Sequence, residues 1–244
     1  MKKVLILLIL LMTITGCQKK EEEEVTPSGS GCDIYEECTD PIDDEEVGTF
    51  KEKYESVNGT TTSSGAENRS VTIAEDHPFI KVKGSDIIKM IDNKETFYLY
   101  IGDEDCPWCR SCIEKAIEIA KEADVKTIYY IEIWNKDGDE IFRDQYKYED
   151  GQLKQTVEGD EAYMTMLKLF GVFLEDYTLS DENDEDVEVG EKRIYVPNFF
   201  YVEDGVCKRE TTGISEKQEG ARDELTDEIL ADETALFKTF FAID

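Results

Sequence analysis

Histidine is almost missing from this chain: His77 stands alone among 244 residues. Histidine-rich metal centres are thereby excluded, and no metal site is expected. Basic residues are also few, with 27 Lys and Arg against 58 Asp and Glu and a formal net charge of -31. Such a surface repels nucleic acid and gives anionic lipid headgroups nothing to hold, which sets nucleic-acid functions aside. Beyond that it mainly keeps a protein soluble, and it identifies no substrate. The apolar run near the start, from Val4 to Met12, is too short for a comfortable membrane span.

That run follows Lys2-Lys3 and leads into Ile14-Thr15-Gly16-Cys17, the layout of a secretory signal peptide over residues 1–16. Small residues ending at Gly16, directly before a cysteine, resemble a lipobox. The resemblance implies cleavage there, lipid on Cys17, and an extracytoplasmic protein held to the bacterial cell membrane through its lipid anchor only. An uncleaved hydrophobic anchor would leave the rest of the chain in the same compartment. Removing Cys17 from the seven cysteines leaves six, an even number where disulfides persist.

Residues 17–68 read as a tether. The Glu21 to Glu24 run, Pro27-Ser28-Gly29-Ser30-Gly31, the acidic stretch from Asp43 to Glu46 and the Thr- and Ser-rich residues 59–65 lack the apolar area that offsets chain entropy. Within it, Cys32 and Cys38 enclose five residues, a loop that a structural disulfide closes unless both remain free thiols.

From about residue 69 the pattern becomes that of one packed α/β domain. Phe79 to Lys83 alternates as a strand, Ser85-Asp86 offers an N-cap for a helix through Ile91, and residues 96–101 are apolar on both faces, as a covered central strand should be. Cys106-Pro107-Trp108-Cys109 then opens a helix with Ile113, Ala116, Ile117 and Ala120 at helical spacing, and residues 127–134 form the next strand. This order predicts a parallel core. An insertion over about 135–191 carries a helix with Tyr163, Met166, Leu167, Phe170 and Leu174 on one face, plus polar connections. Its acidic residues 181–186 lack the glycine and glutamate positions of a calcium loop and read as an exposed loop. Residues 194–202 form a strand, Glu203-Asp204-Gly205 a tight turn and Val206 to Thr211 its hairpin partner. A final helix over about 222–241 has Leu225, Ile229, Leu236 and Phe240 as its expected inner face.

Cys-Pro-Trp-Cys after a hydrophobic strand and at a helix start is the setting of a redox-active pair. The thiolate is the nucleophile, and a helix amino terminus stabilises its charge. Cys106 is therefore the expected attacking sulfur, Pro107 suits the first turn, and Cys109 resolves the mixed disulfide. No cofactor is required, since the thiols themselves carry two electrons. Trp108 has two readings, a substrate-contacting aromatic or simple packing. Cys112 and Cys207 are small core residues or a bridged pair; a four-thiolate metal site with Cys106 and Cys109 is disfavoured by export.

Residues from about 71 onward resemble the thioredoxin superfamily, on the strength of Cys106-Pro107-Trp108-Cys109, Val196-Pro197 before an aromatic strand, and Glu203-Asp204-Gly205. The insertion and lipoprotein setting look most like its bacteriocin-transport-accessory-type branch. The resemblance implies a central mixed sheet flanked by helices, a cis Pro197 against the cysteines, and a Val196 whose backbone meets substrate. It also implies exported protein thiols or disulfides as substrates and a membrane redox partner that recycles the pair. Two departures stand out: Tyr100 occupies the place of the superfamily's buried aspartate, with Glu132 as a possible substitute acid or a mere strand-edge carboxylate, and Asp103-Glu104-Asp105 opposes thiolate formation at Cys106. The rival reading is a non-enzymatic binding or accessory protein for peptide secretion or surface assembly.

Overall fold

Alternation of apolar side chains determines where this chain packs. The computed structural model describes residues 44–62, 65–133, 142–181, 183 and 185–243. The expected signal peptide, the lipidated Cys17 and the Cys32/Cys38 bridge lie outside the described residues. In chain order come helix α1 (Asp44–Ser56), strand β1 (Phe79–Lys81), α2 (Gly84–Asp92), β2 (Phe97–Gly102), α3 (Pro107–Glu122) and β3 (Ile128–Glu132). Two hairpins, β4 (Gln145–Glu149) with β5 (Gln152–Val157) and β6 (Glu175–Ser180) with β7 (Asp186–Arg193), bracket α4 (Glu161–Phe170). The chain closes with β8 (Asn198–Glu203), β9 (Val206–Thr211) and α5 (Asp227–Phe241).

Five strands form the central sheet in the order β1-β3-β2-β8-β9. β1, β3 and β2 run parallel, while β8 and β9 are antiparallel to their neighbours, so the sheet is mixed and flanked by helices as expected. Alternation on β2 divides the core. Tyr98 and Tyr100 face one side, where Phe50 and Tyr54 of α1, Cys112, Ile113 and Ala116 of α3, and Phe237 and Phe240 of α5 pack with Tyr130 and Phe199. Phe97, Leu99 and Ile101 face the other, against Ile87 and Ile91 of α2 and Tyr163, Met166 and Phe170 of α4. A strand buried on both faces cannot alternate in polarity, which is why β2 reads as a continuous apolar run. The turn from β8 to β9 places Asp204 at φ 52° and Gly205 at φ 73°. Glycine is needed there because a Cβ would sit 2.3 Å from the Ile91 carbonyl oxygen.

Several expectations are corrected. The tether does not extend to residue 68: Phe50 and Tyr54 are 2 % and 0 % exposed, each at a depth where burial contributes about 1.5–3 kcal/mol. The cap of α2 is Lys83, without a side-chain hydrogen bond, because the helix starts ahead of Ser85-Asp86. On α5 the buried positions are Ile229, Glu233, Phe237, Phe240 and Phe241, whereas Leu236 is 37 % exposed. The acidic segment after β6 is exposed at Asn183 and Glu185 as expected, and Asp181 Oδ1 accepts the Asn183 and Glu185 backbone N–H groups. Among the described residues no helix is long and apolar enough to cross a membrane.

Candidate active site

Where β2 ends, Asp103, Glu104 and Asp105 turn the chain into α3, and Cys106 is the N-cap of that helix with Pro107 behind it in the first turn. The Cys109 backbone N–H donates to Cys106 Sγ at 3.2 Å. An unpaired helical N–H aimed at sulfur stabilises a thiolate directly. The Cys106 thiol is accordingly lowered below its ordinary value, first by the hydrogen bond from the Cys109 thiol; burial opposes this, the Cys109 and Trp108 N–H groups reinforce it, and the charge of Asp103 opposes it. Cys109 is 0 % exposed, and burial, followed by its hydrogen bond to Cys106, pushes its thiol well up. The two sulfurs are thus differentiated: a partly buried, more acidic one at the helix end and a fully buried, protonated one a turn later.

The Val196–Pro197 bond is cis, and the Val196 carbonyl oxygen lies 3.6 Å from Cys106 Sγ. Val196 and Pro197 are therefore brought beside the cysteine pair. Trp108 is half-buried in the first turn of α3, and its carbonyl accepts from Ser111 Oγ at 2.8 Å.

Behind Cys109 the polar groups are phenols. Tyr100 and Tyr54, each fully buried, share a hydrogen bond of 2.7 Å between their hydroxyls, and the Tyr100 hydroxyl also bonds the Cys109 thiol. The Glu132 carboxylate accepts from Lys81 Nζ at 2.7 Å and from Lys53 Nζ at 2.9 and 3.1 Å. Burial pushes Glu132 up, but hydrogen bonds from Glu104 and both lysines outweigh it and hold the carboxyl below its usual range. The two lysines thus hold Glu132 as an ion-pair centre, with the Glu104 carboxyl sharing a proton beside it.

Sequence reasoning missed the contribution of α1. Arg110, directly after Cys109, is 0 % exposed; its guanidinium donates to the carbonyls of Arg69 at 2.7 Å and of Tyr54 and Glu104 at 2.8 Å, and to Asn58 Oδ1. It ties Tyr54, Asn58 and Arg69 to the cysteine-bearing helix. Val47, Phe50 and Tyr54, three and four residues apart, were the available signal.

All four described cysteines are free thiols. A Cys112/Cys207 bridge is ruled out by the sheet itself, since Cys112 packs on the α3 and α5 face and Cys207 against the opposite core. The same separation removes the four-thiolate metal site. Asp103, Glu104 and Asp105 each bring one carboxylate oxygen within 4.8 Å of the others. Asp103 Oδ1 accepts the Asp105 N–H at 2.9 Å.

No protein-family model matches the chain, and no curated protein matches it. Among solved structures, a thioredoxin-fold protein from Helicobacter pylori is similar to it at 14 % identity and a TM-score of 0.23, the match covering 62 % of this chain and 86 % of that one.

Proposed function

We propose that this chain is a thioredoxin-like thiol-disulfide oxidoreductase of the bacterial cell surface, tethered by lipid on Cys17 and acting on exported protein thiols through Cys106 and Cys109. The observation that carries the reading is the asymmetry of the pair: Cys106 Sγ accepts a helix N–H and has its thiol lowered, while Cys109 is buried and protonated beside it. In the reducing direction the Cys106 thiolate attacks one sulfur of a substrate disulfide. The substrate S–S bond breaks, a mixed disulfide forms, and the departing thiolate takes a proton from solvent. Cys109 then gives up its proton and attacks Cys106 Sγ. A Cys106/Cys109 disulfide results, and the second substrate thiol leaves. Two electrons have passed to the substrate, and a membrane dithiol partner restores them. Val196, whose carbonyl sits 3.6 Å from Cys106 Sγ, offers backbone to an extended substrate, with Trp108 and Pro197 beside it.

The test is the redox equilibrium of the full chain titrated against glutathione and dithiothreitol, together with a Cys106→Ser variant. A reversible two-electron transition that Cys106→Ser abolishes is expected, with a low potential marking a reductase. Absence of any reversible transition, or physiological function that survives Cys106→Ser, would replace this reading with the accessory-protein one.

A further inference from the structure

β9 is the last strand of the sheet, and among the described residues no strand pairs with its outer side. A groove of about 960 Å³ follows that edge and includes Glu175, Tyr195, Asn198 and Glu210 in its walls. Tyr195 and Asn198 flank Val196 and Pro197, so the groove adjoins the backbone that meets Cys106 Sγ at 3.6 Å. Asn198 is 5 % exposed, yet its Oδ1 accepts no hydrogen bond, an arrangement that native structures rarely leave unmet. Register explains what gathers round it. Asn198 and Phe200 point to the same face of β8, and Glu210 is the β9 partner of Phe200, so the Glu210 carboxyl joins Asn198 on that face. Burial pushes Glu210 up to about 7, with the Asn198 amide lowering it and the neighbouring Glu175 charge raising it.

Among the described residues, two carboxyl groups and an amide oxygen therefore converge with no ion pair to a protein cation, although Arg193 is the cross-strand partner of Glu175. Arg193 in the same wall is engaged by Asp144 at 3.8 Å and by the Tyr177 ring at 3.8 Å. Arg209 lies over the Tyr201 ring at 4.2 Å, on the sheet face opposite to Glu210 as its neighbour in the strand. We infer that Glu210, Glu175 and Asn198 form a subsite for the cationic side chain, lysine or arginine, of a peptide that lies along β9 while its sulfur is presented to Cys106. An ammonium or guanidinium supplies the donors these acceptors lack and keeps Glu210 ionised, and an unpaired strand edge suits an extended backbone. The second half of this inference rests on the redox reading; the cation subsite does not.

The experiment compares single-turnover reduction, by the reduced full chain, of two disulfide-linked peptides that differ only in lysine against norleucine two residues from the cysteine. Hydroxyethyl disulfide serves as the uncharged reference. The lysine peptide is expected to react about fivefold faster, the upper range for a partly exposed ion pair. Glu210→Gln and Asn198→Ala should each erase that preference without slowing the reference, whereas Glu224→Gln, an exposed acid elsewhere, should keep it and so discount the general field of an acidic protein. A wild type without preference, or a preference that persists in Glu210→Gln, overturns the subsite. Failure to reduce even hydroxyethyl disulfide sinks the redox reading alone. The subsite is then decided by equilibrium binding of the same peptides in reduced form: a lysine preference lost in Glu210→Gln sustains it, and equal binding of both peptides ends it.

Discussion

Gly102→Ala tests whether the Tyr100 phenol belongs to the architecture of the cysteine site. A Cβ added at Gly102 would sit 2.1 Å from the Tyr100 hydroxyl oxygen and 2.2 Å from its Cζ, distances at which something must move. Tyr100 has nowhere to go: it is fully buried, stacked on Phe199 at 4.5 Å and Tyr130 at 5.4 Å between ring centroids, and tied to Tyr54 at 2.7 Å. Overpacking of this kind costs about 1–3 kcal/mol, and loss of a buried hydrogen bond adds about 1 kcal/mol. Gly102→Ala should therefore destabilise by about 2–4 kcal/mol, a fall in Tm of roughly 5–15 °C for a domain of this size. Guanidinium unfolding of the full chain, alone and on a Tyr100→Val background, separates this steric account from a general intolerance of alanine in β2. With valine at 100 the added methyl has no ring to meet, so the two changes should be non-additive by at least about 1 kcal/mol. A Gly102→Ala protein within about 0.5 kcal/mol of wild type, or strict additivity, would refute the reasoning.

Alkylation of the reduced, folded protein by iodoacetamide should label Cys106 first, with a pH midpoint below that of an ordinary thiol at about 8.5. Burial pushes Cys109 and Cys112 well up and Cys207 to about 12, so mass mapping that finds any of these three labelled ahead of Cys106 would contradict the assigned roles. Glu233 supplies a pH test. It is 0 % exposed, and burial pushes it up to about 7, against the opposing pull of Lys115 and Arg69. Because the folded value lies above the unfolded one, the contribution of Glu233 is fully present below about pH 4.5 and is lost as pH rises toward 7. Glu233→Gln removes that dependence, so its stability relative to wild type should climb by about 1–3 kcal/mol between pH 4.5 and 7. Urea midpoints whose difference stays flat across that window would show that Glu233 does not titrate in the folded protein.

How much of this was legible in the sequence depended on whether a segment has a wet face and a dry one, or two dry ones. β2 was legible because a short run that is apolar on both faces fits only where both faces are covered. The start of α3 was legible because proline directly after Cys106 suits a first helical turn and little else in a packed domain. The hairpin β8 to β9 was legible from its turn, where Asp204 and Gly205 take positive φ. The hairpins β4 to β5 and β6 to β7 were not: residues 152–156 of β5 are all exposed, and a strand wet on both faces leaves no alternation to read. On α5 Ile229 and Phe240 are buried as expected, but Phe237 stands in place of the expected Leu236, since both are apolar and only packing against Phe199 at 5.1 Å decides between them. At the cysteine site Cys106 and Cys109 were named from their motif and its setting, and Val196 and Pro197 from the resemblance to the thioredoxin superfamily. The phenol pair behind them needed depth and direction, which no spacing conveys.

The helix α1 was hidden by composition, and its removal is the sharpest test of that lesson. Acidic residues surround Val47, Phe50 and Tyr54, so the segment averages as tether although its apolar spacing is helical. A chain starting at residue 69, where the compositional boundary falls, loses Phe50 and Tyr54, worth about 1.5–3 kcal/mol each when buried. It also strips Lys53 from Glu132, the hydroxyl partner from Tyr100, and two acceptors, the Tyr54 carbonyl and Asn58 Oδ1, from the buried Arg110. Leaving such a guanidinium half-satisfied is itself a destabilisation of several kcal/mol. Together these losses approach the whole stability of an ordinary domain, about 5–15 kcal/mol. A chain of residues 44–244 should therefore unfold cooperatively with near-native near-ultraviolet dichroism, and one of residues 69–244 should not. If the shorter chain melted cooperatively at the same temperature as the longer, α1 would be an ornament, and the Tyr54, Tyr100 and Cys109 chain of hydrogen bonds would owe nothing to it.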